Sequence, residues 1–273
     1  MQKYVLYKRN LTKKLIILSR IGKNPALFDL IKQPLFSHNV FTAKPGIMKV
    51  IISFLMFLTS TSLVLAQESE TRAIDSFRGI KASEAIDVYL KKGTKENVRV
   101  EVSGTSLNNV ITEISGTYLK IHMREGNYKN RNVKVYVTYV TLEKIAASSA
   151  SNVFSEDRIK AGTFKIDVSS AASVEVKLDV EDLTVDVSSA GDAVLEGKAN
   201  SLSVEANSAG EIDAYALEGG VVRASANSGG SVKVNVTKEL DAHANSGGSI
   251  RYRGTPSKTN TGANSGGSVK KSN

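Results

Sequence analysis

The chain has 273 residues, 41% of them hydrophobic and 23% charged, with 21 Gly, no Cys and no Trp. That composition fits a folded protein with a core of small side chains, and it excludes disulfides, thiol catalysis and zinc-thiolate sites. The net charge of +9 does not mark a nucleic-acid binder: residues 1–67 hold ten Lys/Arg and a single acid, Asp29, which leaves 26 of the 36 basic and 26 of the 27 acidic residues in 68–273. The body of the chain is neutral overall and has no net pull toward a phosphate backbone.

In chain order, the first legible element is an export signal. Met48-Lys49 precedes the short apolar run Val50 to Leu58, then polar Thr59 to Ser62, then small residues at Val64 and Ala66. A basic residue, an apolar core too short to span a bilayer and small residues at −3 and −1 predict cleavage of residues 48–66 before Gln67. Residues 1–47, with Pro25, Pro34 and Pro45 among scattered lysines, read as an extension upstream of the true start at Met48. A genuine long leader, or a membrane anchor over 50–65, is the competing reading. With no Cys for lipidation and no later apolar stretch of spanning length, the mature chain is expected in the periplasm, secreted or on the cell surface, without a transmembrane segment.

Residues 67–146 read as an N-terminal β half. Ile86, Val88 and Leu90 alternate with Asp87 and Tyr89, and Val133, Val135 and Val137 alternate with Lys134 and Tyr136. Period two means strands, with Tyr89 and Tyr136 facing outward.

Residues 147–273 carry a repeat. A short motif recurs as Ala147-Ser-Ser-Ala, Val168-Ser-Ser-Ala, Val187-Ser-Ser-Ala-Gly, Ala206-Asn-Ser-Ala-Gly and then three copies of Ala-Asn-Ser-Gly-Gly beginning at Ala226, Ala244 and Ala263. The second polar residue falls at 149, 170, 189, 208, 228, 246 and 265, with spacings of 21, 19, 19, 20, 18 and 19. Between motifs the apolar residues again alternate, as in Leu202, Val204 and Ala206. About nineteen residues is too short for a propeller blade and lacks leucine-rich patterning, so the prediction is an all-β parallel β-helix or β-solenoid, one coil per repeat, capped by the N-terminal half. Stacked coils would align Asn207, Asn227, Asn245 and Asn264 as a hydrogen-bonded amide ladder, and the small residues after the serine would permit a bend with φ > 0. A hairpin turn in an antiparallel sheet is the alternative. In the last repeat Thr259, Thr261 and Val269 occupy the inward columns beside Lys258, Lys270 and Lys271, a polar edge that resists pairing with another molecule.

The order of these motifs resembles the bacterial family called putative auto-transporter adhesin, head GIN domain, over about residues 75–271. The resemblance rests on Phe77-Arg78-Gly79-Ile80, Ile86 to Leu90, Val133 to Val137 leading to Leu142, the Ser-Ala-Gly and Ser-Gly-Gly recurrences, and Tyr252-Arg253-Gly254-Thr255-Pro256. It implies an exported β-solenoid with an adhesin-like role, and it supplies no enzymatic residues to carry over.

The rest of the chain carries no catalytic or metal-binding signature. His122 and His243 have no Glu-x-x-His or His-x-His partner, the Gly-Gly pairs lack the Lys and helix of a phosphate loop, and the serines have no His/Asp partners in triad order. No cofactor is expected. One column does align charge: three residues before the motif serine stand Asp167, Asp186, Glu205, Ser225 and His243. Carboxylates one strand apart repel, and a cation such as Ca²⁺, a basic neighbour such as Lys165, or solvent must offset them; the repulsion is expected to raise a carboxyl pKa or to recruit the cation. These three acids, with Tyr89 and Tyr136 as aromatics able to stack on sugar rings, are the candidate ligand-binding residues. The function expected is a non-catalytic module that binds a glycan or a protein, with a polysaccharide-cleaving enzyme and a structural spacer as alternatives; the spacing leaves no room for insertions to wall a cleft.

Overall fold

The computed structural model describes residues 68–272, so the expectations for the upstream extension and the signal segment lie outside the described residues. Among the described residues sixteen strands make up one continuous sheet, wound on itself. The repeat region forms the coils: β9 (Asn152–Val168), β10 (Ser173–Val187), β11 (Asp192–Ala206), β12 (Glu211–Ala226) and β13 (Ser231–Ala244) follow one another, each parallel to the next. The register sets Leu183 on Leu202 and Val222, and Val185 on Val204 and Ala224, so identical columns stack from coil to coil. The alternation puts Val, Leu, Ile and Ala inside, where these residues are almost fully buried, and polar residues outside.

Each coil turns its corner on the repeated motif. Ser189 and Ala190, for example, both have positive φ, at 51° and 59°, and the N–H of Gly191 donates to the carbonyl of Ser188 at 2.9 Å. Two consecutive left-handed residues closed by that bond are a type I′ turn. The serine itself takes φ of 48° to 54° in all seven copies, so the strained position begins one residue earlier than the sequence suggested. What holds it there is a second ladder: Ala171 N–H donates to Ser189 C=O, Ala190 to Ser208 and Ala209 to Ser228, each at 3.1 Å, tying every corner to the next. The turn joins two legs of one parallel coil and is not the hairpin of the alternative reading.

The two glycines of the later motif answer different constraints. Gly229 needs only positive φ, and a Cβ there would meet nothing within 4 Å. Gly230 has ordinary φ but no room, because its Cβ would lie 2.2 Å from the Ala206 carbonyl oxygen. At the same position the gap closes from 3.1 Å at Gly191 to 2.7 Å at Gly210 and 2.1 Å at Gly248, while the two earlier corners hold Ser151 and Ala172. The change from Ser and Ala to Gly along the repeat thus follows the tightening of the stack.

The N-terminal half is more closely woven into the stack than its sequence indicated. β2 (Gly79–Ala82) and β3 (Asp87–Lys92) form a coil, and β6 (Tyr118–Met123) and β7 (Asn132–Tyr139) form another. β2 lies between β6 and β8 (Lys144–Ala147), and β3 between β7 and β9, all parallel. The first coil in sequence is therefore the second in the stack. Its corner, Glu84-Ala85, has the same left-handed pair, with Ala85 N–H donating to Ser149 C=O at 2.9 Å, yet carries none of the motif. Antiparallel strands close this end: β4 (Asn97–Ser103) on β7, β1 (Glu68–Arg72) on β4, and β5 (Val110–Ser115) on β6. Arg72 fastens β1 by donating to the carbonyls of Val110 and Leu107 at 2.7 and 2.9 Å.

The other end is open. β14 (Ser249–Gly254), β15 (Lys258–Ala263) and β16 (Ser268–Lys271) make the last turns, and Thr259 and Thr261 occupy the columns of Leu240 and Ala242 but are exposed. Among the described residues no strand pairs with the free sides of β15 and β16, and polar residues in these columns suit an exposed edge.

The core holds one conspicuous polar atom. Tyr139 is 2% exposed and its hydroxyl has no hydrogen-bond partner among the described residues; burial, then the charge of Asp157, pushes the phenol up to about 12. Tyr139→Phe removes an unsatisfied group without changing shape, and is expected to raise stability by about 1 kcal/mol, read by chemical denaturation.

A charged flank on the second leg of the coils

The register assembles the predicted acids as expected. Asp186 sits opposite Asp167 on one side and Glu205 on the other, and Ser225 and His243 continue the row. In the other direction the same row continues through Ala146, three residues before the first motif serine, and then through Lys81 and Lys120, two positions that sequence spacing did not reveal. Beside it, Lys144 and Lys165 stand on adjacent rungs.

The repulsion between the first two acids is offset by lysines. Lys165 Nζ lies 3.1 Å from Asp167 Oδ1 and 2.8 Å from Asp186 Oδ2, and Lys144 Nζ lies 2.5 Å from Asp167 Oδ2. Partial burial raises the Asp167 carboxyl, but hydrogen bonds from Lys144 and Lys165 outweigh it and leave the group below its usual value. At Asp167 the shift is thus a fall and not a rise, and Lys165, the basic neighbour named above, stands between the acids. Hydrogen bonds to Asp186 and then Asp167 carry the Lys165 ammonium to about 12. Among the described residues no group of three or more His, Asp or Glu is arranged to hold a metal ion.

These shifts have a definite sign. A depressed carboxyl contributes stability that is complete above its unfolded pKa, about 3.9, and is lost as pH falls through the lower folded value. The stability difference between wild type and Asp167→Asn should accordingly be steady at neutral pH and shrink below about pH 4, as thermal melts across pH will read. Its size is small, since Lys165 is 42% exposed and surface pairs contribute at most about 1 kcal/mol.

The corner row borders the acids. A trough of about 430 Å³ runs between them, with Asp167, Asp186 and Glu205 on one wall and Ser169, Ser188 and Asn207 on the other. The asparagines form less of a ladder than their alignment promised. Asn245 Nδ2 donates to Asn227 Oδ1 at 3.2 Å, but Asn207 turns to Glu205 at 2.7 Å and Asn227 to Ser225 at 3.1 Å, where a nearer acceptor on the same coil competes.

Tyr89 and Tyr136 lie on the other leg. Their rings stack on each other at 5.1 Å, Phe154 stacks on the far side of Tyr89 at 5.3 Å, and the Arg99 guanidinium covers Tyr136 at 4.1 Å. The two ring faces are thus occupied by protein, and these tyrosines present edges and hydroxyls outward. The same leg carries an acidic group that sequence reading missed: Asp192, Glu211 and Asp213. Lys233 bridges Glu211 at 2.8 Å and Asp213 at 3.2 Å, while burial and then Glu211 raise the Asp192 carboxyl. Counting three residues past the motif serine, which gives Asn152, Ser173, Asp192 and Glu211, would have found it.

The family model described as putative auto-transporter adhesin, head GIN domain, matches residues 76–256, from just before Phe77 to Pro256 of the closing motif. The chain belongs to this family. A crystal structure of a putative adhesin from Bacteroides fragilis superposes with a TM-score of 0.70 at 22% identity, covering 76% of this chain and 97% of that one. Putative adhesins from Parabacteroides distasonis and Parabacteroides merdae give TM-scores of 0.62 and 0.58 at 19% and 20% identity, over 76% of this chain and 97% and 96% of theirs. At these identities the likeness is one of fold. No curated protein matches the chain by sequence. Among the described residues no helix is long and apolar enough to cross a membrane.

Proposed function

We propose that this member of the family is an exported, non-catalytic, adhesin-like module that binds a glycan or a protein in the periplasm or at the cell surface, through the trough beside Asp167, Asp186 and Glu205. The observation that carries the reading is the in-register flank itself. Carboxylates, ammonium groups and hydroxyls recur on adjacent rungs roughly 4.8 Å apart, a fixed polar lattice suited to a ligand with repeating hydroxyls. The corners beside it are tight four-residue turns, so nothing walls the trough as a reaction cleft requires. Lys165, the cation facing the acids, is raised to about 12 by its bonds to Asp186 and Asp167, which favours a role as an ion-pair partner over that of a lyase base.

The test is a glycan array with the purified protein, followed by titration of the hits against an Asp186→Asn, Glu205→Gln double variant. Binding reduced at least tenfold in the variant is the expected result; binding of no glycan or envelope protein leaves the spacer reading in its place. Export is tested separately by intact mass of the protein recovered from its native host, where an N-terminus at Gln67 or its cyclised form is expected.

A further inference from the structure

The carboxylate row changes sign at one point. Going from Asp167 toward the capped end it passes Ala146, then Lys81, then Lys120. Ala146 puts a methyl where its neighbours carry long side chains, and a groove of about 340 Å³ opens there, bounded by Lys81 and Lys120 on one side and Asp167 on the other. It shares Asp167 and Ser169 with the trough, so the two are continuous.

The lysines that line the groove differ from those that pair with Asp167. Lys144 and Lys165 are engaged by Asp167 and Asp186. Lys81 has no carboxylate partner among the described residues; its ammonium lies 4.8 Å from the Tyr118 ring. Among the described residues Lys120 reaches only Glu113, at 4.0 Å. Along the same groove the corner row presents the hydroxyls of Ser83, Ser148 and Ser169, the last two at the motif position that later copies fill with asparagine.

We infer that this groove is a subsite for a carboxylate-bearing sugar unit, and that the ligand of the trough is an acidic oligosaccharide. The inference rests on the glycan reading above and adds the ligand's charge and direction. A carboxylate is met by Lys81 and Lys120, with serine hydroxyls at its side. The sugar's hydroxyls then run toward Asp186 and Glu205, which accept hydrogen bonds. A uniform polyanion such as a polyphosphate gains at Lys81 and Lys120 but meets carboxylates from Asp167 onward. The groove's volume lies at the lower end of the roughly 300–1,000 Å³ usual for small-molecule sites, room for a terminal unit.

The test is isothermal titration of the purified protein with a galacto-oligosaccharide that carries a single terminal galacturonate and with the neutral galacto-oligosaccharide of the same length, with inorganic phosphate as competitor. The oligomer with the terminal galacturonate is expected to bind at least tenfold more tightly than the neutral oligomer and to resist phosphate. Two variants remove the preference by different routes: Lys81→Glu with Lys120→Glu reverses the charge, and Ala146→Phe fills the groove from an outward position. Each should lose the tenfold preference while its melting temperature stays near wild type, and His243→Ala, on the same row but three rungs beyond Asp186, should keep it. Equal binding of the two oligomers, displacement by phosphate, or a preference that survives both variants overturns the acidic-sugar subsite while leaving a glycan module intact. Binding of neither oligomer overturns the subsite, and the array result then decides the glycan reading on its own.

Discussion

Leu202→Asp should cost at least about 4 kcal/mol and abolish single-step melting. Leu202 is 1% exposed and stacked between Leu183 and Val222, so the substitution removes a buried aliphatic side chain and puts a carboxylate in its place with no partner in an interior of Val, Leu and Ala. In a stack, each coil contacts only its neighbours, so the damage falls on one coil and its two interfaces. Stability near 5–15 kcal/mol for the whole unit leaves little reserve, and the coils on the two sides should melt separately. Ser203→Asp, one residue on and facing solvent, is the control and should stay within about 0.5 kcal/mol of wild type. Denaturation of the pair by urea, followed by circular dichroism, reads both values; equal stability would refute the inward assignment of Leu202.

Gly230→Ala should destabilise by about 2–3 kcal/mol, whereas Gly229→Ala should cost about 1 kcal/mol or less. The two differ by one position and by cause. At Gly230 the new methyl meets the Ala206 carbonyl, which already accepts the Asn227 N–H at 2.9 Å, so relieving the clash pulls a corner off its ladder. At Gly229 the methyl enters open space, and Ala190 and Ala209 already occupy the equivalent site with φ of 59° and 60°. The left-handed penalty remains, offset in part by the reduced freedom of the unfolded chain. The same denaturation experiment separates the two; a smaller loss at Gly230 than at Gly229 would mean that the stack yields at its corners.

Much of the fold was legible because its repeat is short and its corner has a strict chemistry. Small residues able to take positive φ recur every nineteen or so, with alternation between, and that combination leaves few architectures. The alignment of Asp167, Asp186 and Glu205 followed from spacing alone. What stayed hidden depends on pairing between segments far apart in sequence. Nothing in Gly79–Ala82 says that it inserts between Tyr118–Met123 and Lys144–Ala147, and Glu84-Ala85 turns its corner without the motif, with a Glu84 carboxylate oxygen accepting from Met123 N–H at 2.6 Å. Because that insertion was unreadable, so were Lys81 and Lys120 on the acidic row, and with them the groove. Lys165 was foreseen as a neutralising neighbour, but Lys144, which completes the network at Asp167, sits on a different strand. The stacked rings of Tyr89, Tyr136 and Phe154 were hidden for the same reason: period two shows that a side chain faces outward, not what stands on the next rung.

The difference between the two ends of the stack has a mechanical consequence. Hydrogen bonds between coils lie along the stacking axis, so a pull on the C-terminal segment loads the bonds of one coil at a time instead of shearing many together. The uncapped last coil yields first. Each coil of about nineteen residues then pays out roughly 60 Å of extended chain. The antiparallel strands and the Arg72 clasp hold the opposite end until last, and the groove beside Lys81 and Lys120 lies near that end. A tether attached at the C-terminus would therefore lengthen in steps under flow while the proposed grip stays folded.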